Sequence, residues 1–399
     1  MHFFTRVSQK IQPAAAIEEL AFNLESQDLA CIYFYYTEEY SAETLWRELT
    51  QTFPETSIVG CSSFKGIMTE SGYFAGPVLA LMGVKASSSC VFTTGFTEFS
   101  EHEKIHEKVQ QSLQDALHNA QRVGEVPGLI VLHATPGHEE EIMQSIDHYF
   151  STRIPIIGGS AADHMINGKW SVLTEKGFSG SGMAIQLAFP DKPLATGFSA
   201  GYSPTEFIGT ITASKGRLLQ EIDGLPAKEM YKAWISDHSA IQISDEFFFN
   251  HVTSFPLGRL AGDIDGQPYY KLIHPLRITE QGELELFADV RSGEEITLMT
   301  GSRSKLINRV VRVLKEANSK NYTGAAQLGS ISIYCAGAME RLGEDIYQVQ
   351  EKICRLLNHR PFICPFTFGE QGRFADGENA HGNLMISSVV FYESEFLKL

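Results

Sequence analysis

Three glycine-bearing junctions contain residue types that could bind a small polar molecule. They are Gly60-Cys61-Ser62-Ser63, the GGSAADH segment at 158–164, and Phe368-Gly369-Glu370, and each follows a short apolar run. Glycine lets the backbone turn sharply or approach a ligand closely, and Ser, Asp and Glu side chains supply hydrogen-bond partners. These junctions predict a ligand site formed by Gly60, Cys61, Ser62, Gly158, Gly159, Asp163, Gly369 and Glu370.

Three other features are typical of hydrolytic enzymes. His102 and His106 have the HExxH spacing, which on a helix places two histidines on one face beside a glutamate. Ser199 lies in a GxSxG pattern, but a nucleophile elbow needs a helix after the serine, and an alternating run with Pro204 follows instead. Cys61 is a third candidate nucleophile, although no histidine lies near it in the sequence. A hydrolase using one of these groups is the alternative to a non-catalytic binding protein, which is the function we favour.

The elements that must position these residues recur along the chain. An apolar strand, an amphipathic helix, a second strand ending at a junction and a third strand are predicted three times. The predicted ranges are 29–36, 41–52, 57–63 and 75–84; 128–134, 139–150, 155–161 and 180–189; and 329–336, 344–357, 361–370 and 381–391. Continuous apolar strands are normally buried on both faces. We therefore predict an α/β fold with mixed sheets built from repeated β-α-β-β units.

A region of different character separates the second and third copies. Residues 195–325 contain alternating apolar and polar stretches with Gly-containing turns, which predict antiparallel strands and hairpins. The link at 189–197 contains two prolines and a glycine and is the best candidate boundary. We predict two associated domains, residues 1–195 and 196–399, with the β-rich region inserted in the second.

Composition limits the partners of the protein. The 399 residues carry 32 basic and 48 acidic side chains, a formal net charge of −16. Such a chain repels phosphate backbones and anionic lipid, so neither nucleic acid nor membrane is expected as a partner. No apolar run is long enough to span a bilayer, and the six cysteines are scattered without a CxxC pair. These features favour a cytoplasmic protein with free thiols.

Several blocks resemble the FIST family, whose members pair an N-terminal and a C-terminal FIST domain. In the first half, IVGCSSFKGI at 58–67 and PIIGGSAAD at 155–163 resemble blocks of the N domain. In the second half, LLQEIDGLPAKEMY at 218–231 and FTFGEQGRF at 366–374 followed by HGN at 381–383 resemble blocks of the C domain. The resemblance assigns Gly369, Glu370 and Asn383 to the site, and so adds Asn383 to the predicted ligand-binding residues.

The resemblance also implies a function. FIST domains are regarded as intracellular, non-catalytic sensors of small molecules such as amino acids. The sequence shows no recognisable output domain, so we expect the signal to pass to a separate protein such as a histidine kinase. Homo-oligomers are compatible with this arrangement.

One type of FIST protein binds haem and senses nitric oxide. If this chain belongs to that type, haem requires an axial ligand such as histidine in an apolar cleft. His133, His164 and His381 are the candidates, because each lies at a predicted strand end beside a glycine junction.

Overall fold

A computed structural model of the protein describes residues 1–24, 29–87, 89–101, 103–245, 252–264, 267–317, 325–375 and 377–393. Unit 1 (residues 2–85) contains β1 (His2–Ser8), α1 (Pro13–Ala21), β2 (Cys31–Tyr36), α2 (Ala42–Thr52), β3 (Ser57–Ser62), β4 (Gly66–Thr69), β5 (Gly72–Ala75) and β6 (Leu79–Lys85). Unit 2 (residues 91–189) contains β7 (Val91–Glu98), α3 (Ile105–Asn119), β8 (Leu129–Ala134), α4 (Glu139–Phe150), β9 (Ile156–Ser160), β10 (Val172–Thr174), β11 (Gly177–Ser179) and β12 (Gly182–Phe189).

Unit 3 (residues 194–392) has the same order of elements but is interrupted by an insert, residues 201–302. The unit starts with β13 (Leu194–Ala200), and the insert follows with β14 (Ser203–Lys215), β15 (Leu218–Ile222), β16 (Leu225–Pro226), α5 (Ala227–Ser239), β17 (Leu257–Ile264), β18 (Gln267–Ile273), β19 (Pro275–Ile278), β20 (Leu284–Leu286) and β21 (Glu295–Thr300). The unit then resumes with α6 (Arg303–Ala317), β22 (Gln327–Cys335), α7 (Ala336–Leu342), a 3-10 turn (Gly343–Asp345), α8 (Ile346–Leu356), β23 (Phe362–Thr367), β24 (Glu370–Arg373), β25 (Asn379–Gly382) and β26 (Met385–Tyr392).

Each unit forms the centre of one six-stranded mixed sheet. The sheet orders are β1-β6-β2-β3-β10-β11, β7-β12-β8-β9-β24-β25 and β13-β26-β22-β23-β4-β5. In every sheet the first two long strands of the β-α-β-β motif pair in parallel and the last pairs antiparallel with the first. The predicted mixed α/β fold is confirmed. The leading strand of each unit was not predicted.

The outer two strands of each sheet come from another unit, an arrangement we call the hairpin exchange. The β4–β5 hairpin of unit 1 pairs with β23, the β10–β11 hairpin of unit 2 pairs with β3, and the β24–β25 hairpin of unit 3 pairs with β9. The three units therefore form a ring in which the two outer strands of each sheet belong to another unit.

Two glycines allow the parallel strands to pack closely. A Cβ atom on Gly60 would lie 1.6 Å from the carbonyl oxygen of Phe34, and one on Gly158 would lie 1.8 Å from that of Leu132. The equivalent glycines of units 1 and 2 are thus required by strand packing.

The insert has its own eight-stranded antiparallel sheet and its own core, as the alternating sequence predicts. Its order is β18-β17-β21-β14-β15-β20-β19, with β16 beside β15. Leu219, Tyr231 and Leu298 are among its buried core residues. Within the described parts of the chain, we find no helix long and apolar enough to cross a bilayer.

Candidate functional site

A pocket of about 300 Å³ lies where the ends of the unit strands meet the insert. Its lining residues follow β3, β9, β22 and β23 at their carboxyl ends, which is where ligands usually bind in α/β sheets. Among the described residues it is lined by Phe64, Lys65, His164, Met165, Ile166, His274, Phe287, Cys335, Ala336, Gly337, Glu340, Phe368 and Asn383. Units 1, 2 and 3 and the insert all contribute to this wall.

Several aromatic rings belong to the pocket lining. The ring of Phe368 lies 6.3 Å from that of Phe64 and 6.2 Å from that of Phe287, measured between centroids. His274 stacks on Phe287 at 5.5 Å with an angle of 19° between the ring planes. Burial lowers the pKa of His274 to about 3, so this imidazole is neutral and adds to the aromatic wall. The pocket therefore presents π faces to a ligand.

His164 supplies a polar atom to this aromatic pocket. Its Nδ1 faces two carboxylates, at 3.8 Å from Glu38 Oε1 and 3.9 Å from Glu39 Oε1. Its backbone N–H donates to Glu38 Oε2 at 2.6 Å, which anchors the residue. Its Nε2 is buried and has no hydrogen-bond partner among the residues that the structure describes. The residue is thus held through its backbone and on the Nδ1 side of its ring, while the buried Nε2 has no partner among the described residues.

Asp163 shapes the loop that carries His164 but does not line the pocket. Its buried carboxylate accepts the backbone N–H groups of Ile166 at 2.5 Å, Asn167 at 3.0 Å and Lys169 at 2.8 Å. Ile166 has a φ of +54°, a left-handed conformation that is rare for a β-branched residue. Such conformations persist only where the surroundings enforce them. Asp163 therefore positions the loop.

An ion pair lies at the mouth of the pocket. Lys65 Nζ is 2.9 Å from Glu340 Oε2 and 3.0 Å from Glu340 Oε1, although the residues are 275 positions apart. The same ammonium lies over the Phe64 ring, 4.8 Å from its centroid. This pair joins unit 1 to helix α7 of unit 3 across the opening.

Asn383 forms part of the pocket wall and ties the insert to unit 3. Its Oδ1 accepts the backbone N–H of His274 at 3.1 Å, and its Nδ2 donates to the carbonyl oxygen of Phe368 at 3.5 Å. Both ends of the amide are therefore engaged within the protein.

Glu370 lies behind the pocket wall, fully buried. Its carboxyl group accepts the backbone N–H of Met385 at 2.9 Å and the hydroxyl of Thr367 at 3.1 Å. Burial raises the pKa of Glu370 to about 8, and Arg309 nearby only partly opposes this shift. The Glu370 carboxyl group consequently has a structural role. It lies next to Cys335, which does line the pocket.

The other predicted ligand-binding residues also lie outside the pocket lining. Ser62 is buried and accepts the backbone N–H of Ser171 at 3.0 Å, which links units 1 and 2. Gly159 and Gly369 are packed tightly, because a Cβ atom would lie 2.4 Å from Thr367 Oγ1 and 2.3 Å from His381 Cε1, respectively. Of the predicted ligand-binding set and the three histidines, the pocket lining includes Asn383 and His164.

Cys61 and His133 meet in the interior, away from the pocket. His133 Nδ1 donates to the carbonyl oxygen of Gly159 at 3.0 Å, and Tyr35 Oη lies 3.0 Å from Nε2. Cys61 Sγ is 3.5 Å from the same Nδ1, which already carries a proton and cannot take another from the thiol. Burial raises the pKa of Cys61 and lowers that of His133 to about 4. The pair is therefore a neutral packing contact.

The remaining hydrolase candidates do not form a catalytic group in the described structure. Ser199 lies within β13, buried, and donates to the carbonyl oxygen of Ala200 at 3.4 Å. His106 lies in helix α3, and its Nδ1 is 3.2 Å from Ser145 Oγ. His102 lies outside the described residues.

A second polar cluster surrounds His381 on the far side of Gly369. The side chains of Glu139, Glu140 and His381 bring potential ligand atoms within 4.8 Å of one another. The Arg217 guanidinium from the insert already occupies this cluster, at 2.6 Å from Glu139 Oε2 and 3.3 Å from Glu140 Oε2. Burial acts to raise the pKa of Glu139, but the charges of His381 and Arg217 outweigh it and hold the pKa at about 2. The cluster fastens the insert to helix α4.

Pocket residues that were not predicted include His274 and Phe287 from the insert and Glu340 from α7. His274 lies in the stretch IHPLRI at 273–278, which is the sequence signal that could have indicated it.

Comparison with known proteins identifies the family to which this architecture belongs. A model of the FIST N domain matches residues 28–225, and a model of the FIST C domain matches residues 227–373. The chain belongs to the FIST family. FIST domains are sensory domains of signal transduction, and this supports a sensory role. The two matches meet within the insert, next to α5.

Two individual proteins are also similar. MJ1623, an uncharacterized protein of Methanocaldococcus jannaschii, is 24% identical over 196 residues, which are 45% of this chain and 35% of that protein. The match therefore spans about a third of the length of this relative. A crystal structure of a cyanuric acid hydrolase from A. caulinodans covers 97% of this chain and 98% of its own, at 10% identity and a TM-score of 0.32. A similarity this low says nothing about activity.

Proposed function

We propose that the protein is a cytoplasmic, non-catalytic sensor that binds a small molecule in the pocket between its FIST N and FIST C domains. The observation that carries this proposal is the composition of the pocket wall, to which all three units and the insert contribute. A volume of about 300 Å³ matches the lower end of the range for small-molecule sites. An amino acid or another small metabolite is of suitable size.

A ligand bound in this pocket would change the contacts between the domains. Lys65 and Glu340 come from opposite sides of the opening, and Asn383 joins the insert to unit 3 through His274. A ligand can shift a conformational equilibrium only if it binds the two states with different affinity. Contacts that bridge units provide such a difference. A separate signalling protein such as a histidine kinase would detect the ligand-bound conformation.

Tryptophan fluorescence offers a direct binding test. The Trp170 ring lies 6.0 Å from Phe368, edge to face, so its emission should respond to a ligand in the pocket. We expect metabolites released from the purified protein by denaturation, and identified by mass spectrometry, to change this emission when added back. His164→Ala should weaken binding about tenfold, the effect of losing roughly 1.4 kcal/mol. His118→Ala, on the exposed face of α3, should not change it.

The same experiment can contradict the proposal. Binding that is indifferent to His164→Ala, or a Trp170→Phe variant that retains the full fluorescence response, would place the ligand elsewhere. Turnover of the added metabolite would instead favour the hydrolase alternative.

A haem-based nitric-oxide sensor is the second candidate, and His164 is the residue that favours it. His164 lies in the pocket lining, its buried Nε2 has no partner among the described residues, and carboxylates face Nδ1. Carboxylates commonly orient metal-bound histidines in this way. His164 would hold the iron, which would supply the nitric-oxide site, but a porphyrin would require the pocket to widen. His133 and His381 lie outside the pocket lining.

The absorption spectrum of protein purified from haem-replete cells tests this candidate. A Soret band that shifts with nitric oxide and disappears in His164→Ala supports it. A colourless protein that takes up no added haem contradicts it and leaves the smaller metabolite.

A further inference from the structure

The polar atoms of the pocket select a chemical class of ligand. Both ends of the Asn383 amide are engaged within the protein. The Cys335 thiol keeps its proton, because burial raises its pKa. His274 Nε2 lies 3.2 Å from Thr253 Oγ1. Among the described lining residues, the remaining polar side chains are the His164 imidazole and the Lys65–Glu340 ion pair.

His164 lies in the pocket lining with the carboxylates of Glu38 and Glu39 on the Nδ1 side of its ring. Its Nε2 is buried and has no partner among the described residues. The charged groups of the described lining that a ligand can reach from solvent are therefore those of the Lys65–Glu340 ion pair.

The mouth of the pocket already binds an ammonium group that belongs to the protein. Lys65 Nζ pairs with Glu340 and lies over the Phe64 ring at 4.8 Å. An aromatic face combined with a carboxylate is the usual environment for an organic cation. The side chains of Lys65 and Glu340 are 40% and 53% exposed, so water reaches the pair. A competing cation can therefore take the place of the Lys65 ammonium.

We propose that the ligand of this pocket is a small protonated organic amine, whose ammonium group replaces that of Lys65 between Glu340 and the Phe64 ring. Its apolar body would lie among Phe287 and Phe368. The net charge of −16 would favour approach of a cation over an anion. This inference rests on the proposed sensor function and specifies the chemistry of its ligand.

The proposal also supplies a switching step. When the amine occupies the mouth, Lys65 loses its partner and the ion pair between unit 1 and α7 opens. The ligand would then directly alter a contact between the FIST N and FIST C domains.

Three probes of similar size and different charge test the ligand class: phenethylamine, phenethyl alcohol and hydrocinnamate. Titration calorimetry with the full chain should show phenethylamine binding at least about tenfold more tightly than the alcohol, with hydrocinnamate weakest. Glu340→Gln should remove most of this preference and leave the alcohol unaffected. Lys65→Met should increase the affinity for phenethylamine, because it removes the competing ammonium.

A remote ion pair provides matched controls. Lys108 and Glu103 are paired at 2.7 Å, with exposures of 42% and 32%. Lys108→Met and Glu103→Gln should leave all three affinities unchanged. Circular dichroism and the unfolding temperature establish that each variant is folded.

Several results would overturn the amine assignment. They are binding of hydrocinnamate or the alcohol as tight as that of phenethylamine, loss of amine affinity in Lys65→Met, and no phenethylamine binding at millimolar concentration. The proposed function survives these results if metabolites recovered from the protein still change Trp170 emission. It fails separately if they do not.

Discussion

The carboxylate of Asp163 accepts the backbone N–H of Ile166 at 2.5 Å and thereby fixes a left-handed residue in the pocket wall. Two further N–H groups of the same loop donate to this carboxylate. The loop carries His164, the residue with the unpartnered imidazole nitrogen. The position of His164 in the pocket wall thus depends on a neighbour that lies outside the pocket lining.

Replacement of Asp163 should disrupt both stability and binding. Asp163→Ala leaves three backbone donors without their acceptor, so we expect the free energy of unfolding to fall by about 2–4 kcal/mol. Urea denaturation followed by circular dichroism measures this loss. Asp237→Ala, at an exposed position in α5, should change the free energy by less than about 0.5 kcal/mol. Equal effects of the two substitutions would show that the Asp163 bonds do not hold the loop.

Glu370 should make stability depend on pH. Its pKa is raised from 4.5 to about 8 in the folded protein, so the folded state retains a proton that the unfolded chain releases. The stabilisation is complete below about pH 4.5 and is lost as the pH rises towards 8, by on the order of 1 kcal/mol per pH unit. Urea denaturation at several pH values should show a steeper decline for the native chain than for Glu370→Gln. Parallel pH profiles would contradict this assignment.

Arg217 should hold the insert against helix α4. Arg217→Gln leaves the buried Glu139 carboxylate without its closest cation, and we expect a loss of about 3 kcal/mol in unfolding free energy. The double variant with Glu139→Gln should recover part of this loss, because no buried charge then remains unpaired. Strict additivity of the two single substitutions in urea denaturation would show that they do not interact.

The glycines at the first two junctions should be required for folding rather than for ligand affinity. A Cβ atom at Gly60 or Gly158 would overlap a backbone carbonyl oxygen of the neighbouring strand. We therefore expect Gly60→Ala and Gly158→Ala to be insoluble or to unfold at a much lower temperature. Gly180→Ala is the control, since its nearest contact would be an ordinary 3.5 Å. Folded variants of normal stability with weakened ligand binding would contradict this explanation.

Much of the fold could be predicted because the central strands are continuous apolar runs. Cys31–Tyr36 and Leu129–Ala134 are buried along their full length, and their sequence shows it directly. The short exchanged hairpins could not be predicted in the same way. Val172–Thr174, for example, is three residues long, and its partner β3 lies more than 100 residues away in unit 1. Such pairing depends on the assembled ring rather than on local sequence.

The location of the pocket was easier to predict than its lining. The junctions do mark the strand ends near which it forms, but neighbouring residues point in different directions. Asp163 is buried beneath its loop, whereas His164 lines the pocket. His274 reaches the pocket from the insert, whose sequence contains no ligand-binding motif. The spacing of residues in a single sequence does not show which way each loop side chain points.

The hairpin exchange determines when the protein can fold during synthesis. The sheet of unit 2 is completed by β24 and β25, which leave the ribosome some 200 residues after most of its other strands. Until then the outer edge of β9 has no partner, and an unpaired strand edge invites association with other chains. Strand pairing over such distances in the chain is slow, because the entropy of closing a long loop is lost before the strands form any stabilising contact. Folding of the FIST N domain therefore waits for the synthesis of β24 and β25, and overproduction faster than chaperones can protect this edge should favour aggregation.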